Sequence, residues 1–475
     1  MTAGRVWADA VARHGPRVFL RDDDRDWTYA EFDALARAVA GTLLARGAGP
    51  GVPVAVVLGS TPAHLAVLVA LSRLGAVAVP LDPTRPEREL RDLVRRAGAT
   101  LVVDEPVEGG PPVPAEPADV GEDDPWAVLY TSGSTSRPRG VVVPQRAFDV
   151  TGRALVDAHA YTADDTVLCV LPLHHASATL MSWAPSVAAG AALTLVDRFS
   201  VSRFWDLVRA RHATVTIVVP TIAELLLTPP PAPGDRDHPL RLLVTHYDVP
   251  AFRDRFGVEV RTLWGMTETS GLGLTTRPGE STSDGAVGRP YPPDARVRVV
   301  GQDGDDVPPG EVGELWFAHP AAMTGYHGEP PPVDGWIVSG DLVREIPGGY
   351  AYVGRAKAVI KRGGENISAH ELERAVAGCP AVREVVVVPV PDPVFVEEAC
   401  AVVVWAGAAD PAGLRAYLAD RLAVWQVPRY VATWPGPLPK LANHKVDRRR
   451  VAAGVDPAAA DDRGPRTHAE EDVDV

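Results

Sequence analysis

Residues 130–140 read YTSGSTSRPRG and gather a run of hydroxyl side chains, two glycines and two arginines within eleven positions. A glycine-containing turn exposes backbone N–H groups that together form an anion-binding concavity. The hydroxyls add neutral donors, and Arg137 and Arg139 add charge suited to a polyphosphate. The stretch is not a GxxxxGK[ST] loop, so it is not a Walker A motif. On these residues alone a polar surface turn remains the alternative. Two further patterns carry chemistry. His174 and His175 follow a short apolar run, which aims them at a pocket mouth, although loop histidines commonly just hydrogen-bond. The paired glycines Gly363 and Gly364 in RGGENIS permit close backbone approach by a thin ligand.

These residues need elements to hold them. Over the first hundred residues, TYAEFDALARAVAGTLLARG, TPAHLAVLVALSRLG and PERELRDLVRRAGA have helical spacing. The short apolar runs VPVAVVL, AVAVPLD and TLVVD between them read as buried strands. Strands alternating with helices predict a parallel sheet with helical crossovers. The alternation resumes after the loop: strands at TVLCVLP, ALTLVD and TVTIVVP, helices near SATLMSWAPSVAAG and at SRFWDLVRARH. From about 285 to 353 the texture changes to short alternating strands with Gly-rich turns, a small β-subdomain. A compact α+β tail follows, with a helix at SAHELERAVAGC and strands at VREVVVVPV and ACAVVVWA. The acidic C-terminal end reads as frayed.

At 475 residues the chain exceeds one ordinary core, which predicts more than one domain. Apolar residues at 46% and charged residues at 23% are globular proportions. A net charge of −14 without a basic stripe speaks against nucleic acid as partner. Three scattered cysteines speak against a disulfide framework or zinc site and suit a reducing cytoplasm. The apolar stretches are interrupted before membrane-spanning length, and the N-terminal residues lack a signal-peptide core. The expectation is a soluble, cytoplasmic protein with no membrane partner.

The loop at 130–140 resembles the phosphate-binding signature of the adenylate-forming superfamily of acyl-CoA synthetases, adenylation domains and luciferases. The resemblance continues in order through DWTYAEF, AVAVPLDP, LPLHH (171–175), WGMTE (264–268), GELW (313–316) and SGD (339–341). It ends with GRAKAVIKRGGENISAHELE (354–373) and LPKLANHKVDRR (438–449), covering residues ~5 to 452. It implies an α/β fold. A large N-terminal AMP-binding domain, 1–354, would combine parallel-rich sheets, helices and the β-subdomain. A small mobile α+β lid, 355–455, and a flexible acidic tail, 456–475, would follow.

The implied chemistry has two steps. A carboxylate attacks the α-phosphorus of ATP and releases pyrophosphate; a thiol then displaces AMP from the acyl-adenylate. Carboxylates repel ATP, so alignment and charge neutralisation must supply the catalysis. The resemblance assigns Thr131, Ser132, Gly133, Ser134, Thr135 and Arg139 to the β- and γ-phosphates. Trp264 would stack on adenine, Thr267 would touch the α-phosphate and Glu268 would hold Mg²⁺. Asp341 would accept from the ribose hydroxyls, with Arg355 as a second ribose contact. Lys445 would bridge the substrate carboxylate and the α-phosphate, with Lys440 as its rival. Gly363 and Gly364 would line a pantetheine tunnel, and the hinge would fall at Ala356 and Lys357. His174, His175, His246, Tyr247, Gly265 and Met266 would surround the acyl substrate, with His175 at its wall.

This chain departs from the family pattern at several points. Ser136 replaces a glycine, Arg139 a lysine, Trp264 a tyrosine and His444 a glycine. The turn at 245–247, THY, lacks the usual glycines and precedes a shortened helix. That loss, with RGGEN, resembles the crotonobetaine/carnitine–CoA ligase branch and favours a short or polar carboxylate. The leading expectation is a carboxylic acid–CoA ligase using ATP, Mg²⁺ and CoA, as monomer or homodimer. A carrier-protein phosphopantetheine or an amine is the alternative acceptor. A nucleotide-binding module without turnover is a third reading, opposed by the joint presence of Glu268, Asp341, Arg355 and Lys445.

Overall fold

A computed structural model describes residues 1–22, 25–131, 138–282, 285–301, 303–356, 359–362, 365–392, 396–422, 426–441 and 446–462. The chain divides into two compact units. The first comprises Met1–Arg298, Trp316–Val338 and Ile346–Ala351. The second comprises Val299–Leu315, Ser339–Glu345 and the chain from Tyr352 onward. No helix among the described residues is long and apolar enough to cross a membrane.

Two sheets form the first unit. One orders its strands Asp26–Thr28, Val18–Arg21, Ala192–Leu195, Thr166–Cys169, Val215–Ile217, Leu242–Thr245, Glu259–Gly265, Gly273–Thr275 and Ala286–Tyr291. Pairing is parallel from Val18–Arg21 through Glu259–Gly265 and antiparallel at both flanks. The other orders Leu101–Val103, Pro53–Val56, Val77–Pro80 and Pro125–Thr131 in parallel. It then adds Arg139–Pro144 and Gly325–Tyr326 antiparallel. These are the expected parallel-rich sheets with helical crossovers.

Local chemistry explains the helices. Thr28 accepts from the Glu31 N–H while the Glu31 carboxylate accepts from the Thr28 N–H at 2.8 Å, a capping box opening helix Tyr29–Ala45. Thr61 caps Pro62–Leu74, which has proline in its first turn, where no N–H is needed. One expected helix differs. The stretch around 176–190 is Ala176–Ala178, a π-turn at Thr179–Trp183, then Ala184–Ala189. Pro185 lacks an N–H, and the Ala184 N–H reaches back to the Thr179 carbonyl instead of continuing the α pattern.

In the second unit Val382–Asp392 pairs antiparallel with Val396–Trp405, which also pairs with Val359–Arg362 and, in parallel, with Tyr430–Thr433. The valine run is buried on both faces. Val387 joins a core with Leu372, Val376, Leu414 and Leu418, while Val386, Val388 and Val390 join Leu438 and Val451. Asp461–Asp462, expected in a frayed tail, forms a short strand against Tyr430–Val431.

Candidate active site

Residues Thr131 and Arg139 pair across an antiparallel hairpin, so they are the two ends of the expected phosphate loop. Ser132, Gly133, Ser134 and Thr135 lie outside the described residues, as do Lys357, Gly363, Gly364, His444 and Lys445. Thr131 is half-buried and its hydroxyl lies 3.5 Å from the Arg139 carbonyl. The Arg139 guanidinium forks onto Glu329, with Nε 3.2 Å from Oε1 and the second contact to Oε2. It also lies over the Tyr326 ring, with Cζ 3.3 Å from the centroid. The Glu329 bond raises the pKa of Arg139, and in return Arg139 lowers that of Glu329.

Strand Glu259–Gly265 delivers the WGMTE residues. Trp264 is 4% exposed, its ring centroid 6.2 Å from that of Phe317. Gly265, Met266 and Thr267 are half-buried, and Glu268 is 8% exposed. The turn that follows is tightly specified. Thr269 Oγ1 receives the Met266 N–H at 3.1 Å, and the Thr267 carbonyl receives the Ser270 N–H at 2.9 Å. Ser270 and Gly271 both take positive φ, +56° and +76°, which for a serine marks backbone strain at the site. Gly273 is required for a different reason: a Cβ there would fall 2.0 Å from the Trp264 carbonyl oxygen. The Glu268 carboxylate accepts from the Tyr326 hydroxyl at 2.9 Å.

The expected acyl-pocket residues gather at the carboxyl ends of the parallel strands, where open α/β sheets bind ligands. His174 and His175 follow Thr166–Cys169, His246 and Tyr247 follow Leu242–Thr245, and Gly265 and Met266 close Glu259–Gly265. The two histidine rings lie 4.3 Å apart. Burial, aided by His175, pushes the His174 pKa down to about 3, while Asp82 pulls the other way. His64 is fully buried, its pKa lowered to about 4 by that burial, and its Nδ1 faces the Gly59 carbonyl at 3.0 Å. Among the described residues neither His64 Nε2 nor the buried Thr245 hydroxyl has a hydrogen-bond partner. The Tyr247 hydroxyl donates to Glu224 at 2.6 Å, and His246 is exposed.

Asp341 and Arg355 are in the second unit. SGD lies inside a strand, Ile337–Ile346. Asp341 is 3% exposed, donates its own N–H to the Ser339 hydroxyl oxygen, and pairs through Oδ1 with Arg355 Nε at 2.6 Å. Arg355 has 53% of its side chain exposed. The rival lysine, Lys440, lies 4.0 Å from Glu384.

Sequence reasoning missed Tyr326, Glu329, His64 and Asp82. Tyr326 and Glu329 reach the hairpin only because strand Gly325–Tyr326 pairs with Val141–Val142, a contact with no local signal. Among the described residues no cluster of three His, Cys, Asp or Glu could hold a metal ion. Glu268 is a carboxylate that could hold Mg²⁺ together with nucleotide phosphates, which suits a cation that keeps few protein ligands.

Comparison with known proteins agrees. Residues 7–327 match the AMP-binding enzyme family and residues 371–445 the AMP-binding enzyme C-terminal domain. The chain is 35% identical to a sulfoacetate–CoA ligase of Cupriavidus necator, over 76% of each chain. It is 30% identical to an indoleacetate–CoA ligase of Aromatoleum aromaticum, over 94% of this chain and 96% of that one. It is 28% identical to a crotonobetaine/carnitine–CoA ligase of Salmonella arizonae, over 82% and 86%. Among solved structures, the fold matches an anthranilate–CoA ligase bound to anthranoyl-AMP with TM-score 0.86, at 20% identity over 97% and 98% of the two chains. It also matches ATP-bound MatB of Rhodopseudomonas palustris with TM-score 0.85, at 24% identity over 96% and 99%. The hairpin-framed loop, the strained WGMTE turn and these matches lead to one conclusion: the chain belongs to the AMP-binding enzyme family.

Proposed function

We propose that this protein is an AMP-forming carboxylic acid–CoA ligase of the cytoplasm, acting on a small acid with a polar group. The single observation that carries the reading is the placement of Glu268. It is a carboxylate at the end of a parallel strand, joined through Tyr326 to the arginine that closes the phosphate hairpin. Three CoA-ligase relatives of different acid specificity support the reaction type. Three free cysteines, all buried, fit a reducing compartment.

The chain's own groups divide the work. Arg139 and the hairpin loop bind the leaving phosphates, and Asp341 with Arg355 orients the ribose. Lys445 brings the substrate carboxylate up to the α-phosphate, and Thr267 fixes that phosphate in line. Mg²⁺, when bound with the nucleotide, neutralises phosphate charge. His64 Nε2 and Thr245 Oγ1, buried without partners among the described residues, suit a polar acyl group more than a hydrocarbon tail. Rotation at Lys357 would then let Gly363 and Gly364 admit the pantetheine arm for the second step.

A pyrophosphate-release panel over carboxylic acids, followed by mass spectrometry of products with and without CoA, tests the reading. Acyl-CoA and AMP are the expected products, with short polar acids ahead of long-chain ones. Pyrophosphate release that never yields a CoA thioester would move the acceptor elsewhere. Lys445→Ala should abolish adenylate formation yet still convert a synthetic acyl-adenylate to thioester. Equal loss of both steps would remove Lys445 from its role.

A further inference from the structure

The segment 323–329 lies between the two parts of the phosphate site without belonging to either. Its backbone is fastened on both sides. The Met323 N–H donates to the Glu268 carbonyl at 2.9 Å, the Thr324 N–H to Val142 at 3.0 Å and the His327 N–H to Gly140 at 2.7 Å. Tyr326 is thereby fixed between the WGMTE turn and the hairpin. Its hydroxyl donates to Glu268 Oε1 at 2.9 Å, while its ring face carries the Arg139 guanidinium at 3.3 Å. A donor on one edge of Glu268 sets the direction in which the other carboxylate oxygen faces.

Glu329 completes the arrangement. The Glu329 N–H donates to the Tyr326 carbonyl at 2.9 Å, and this turn brings the carboxylate onto Arg139. Both side chains of the pair are two-fifths or more exposed, so the bond is weak and exchangeable. A phosphate offers the same guanidinium more charge and more acceptor oxygens.

We propose that Tyr326 is the positioning residue that couples the metal carboxylate to the phosphate arginine, and that Glu329 holds Arg139 until a nucleotide phosphate replaces it. The inference rests on the functional reading above, in which Glu268 serves Mg²⁺ and Arg139 serves phosphate. Tyr326→Phe keeps the ring for Arg139 and removes only the donor to Glu268. Tyr326→Leu removes both, and Glu329→Gln removes the competing charge.

Isothermal titration of the full chain with ATP, in excess Mg²⁺ and in EDTA, separates these roles, with thermal melts checking the fold. For Tyr326→Phe the gain in ATP affinity that Mg²⁺ confers should shrink about tenfold, the size of one hydrogen bond to a charged group. Any change in its metal-free affinity should be smaller. Tyr326→Leu should weaken metal-free binding as well. Glu329→Gln should tighten ATP binding by about threefold at low salt, the scale of an exposed ion pair. A wild-type Mg²⁺ gain in Tyr326→Phe, or weaker binding in Glu329→Gln, would overturn the proposal. A wild-type chain that binds no ATP would instead sink the functional reading itself.

Discussion

In the first unit Trp264 and Glu268 are 4% and 8% exposed, and the turn that carries Glu268 is closed by side chain-to-backbone bonds at Thr269. In the second unit Arg355 has half its side chain in solvent and pairs with the buried Asp341. The second unit does own a buried pair, Arg362 with Glu398 at 2.9 Å, but that pair lies in its sheet. The contrast teaches where rigidity has been placed. Around Glu268 it is built into the candidate site, where transition-state charge needs preorganised partners. In the second unit it holds the fold, while Arg355 stays adjustable.

The largest effect that sharpens this contrast is Glu268→Ala, which should cut pyrophosphate exchange by about 10² to 10³. Arg355→Ala should mainly raise the KM for ATP, by about tenfold or less, as suits an exposed charge. Equal losses in the two variants would break the comparison. Arg362→Ala leaves Glu398 buried and unpaired, and should destabilise the second unit by about 3–5 kcal/mol in denaturant melts. A cost below ~1 kcal/mol would place that pair with the exchangeable ones.

Acid should distinguish the units next. Burial lowers the pKa values of His64 and His174 to about 4 and 3 and of His159 to about 3, all in the first unit. In the second unit His370 falls to about 4 for the same reason. Below the unfolded value near 6.5 the unfolded chain takes up protons that the folded chain refuses. Stability therefore drops as pH falls from about 6.5 towards 4, each histidine costing on the order of 1–3 kcal/mol. Hydrogen exchange at pH 7 and pH 4.5 should show the first unit losing protection more than the second. Smallest is Thr28→Ala, which removes the capping box and should cost about 1 kcal/mol in a thermal melt.

Much of the fold follows from local chemistry that the sequence displays. The Thr28–Glu31 box, the Thr61-Pro62 entry and the period of the valine strand all act within a few residues. Pro185 was equally visible, yet its consequence, a π-turn, depends on how the freed carbonyls find partners in the packed chain. Within the candidate site, Glu268 and Asp341 could be found because the resemblance places them by motif. Tyr326 could not: 58 residues separate it from Glu268, and only strand pairing brings them together. The same holds for Asp82 and His174, which follow strands of different sheets.

The central claim is that a carboxylate oxygen of the substrate attacks the α-phosphorus of ATP. An acid that scores in the pyrophosphate panel, labelled with ¹⁸O in its carboxylate, tests this most directly. After turnover with ATP and CoA, the account predicts one labelled oxygen in AMP and none in pyrophosphate. Label in inorganic phosphate with formation of ADP would contradict it.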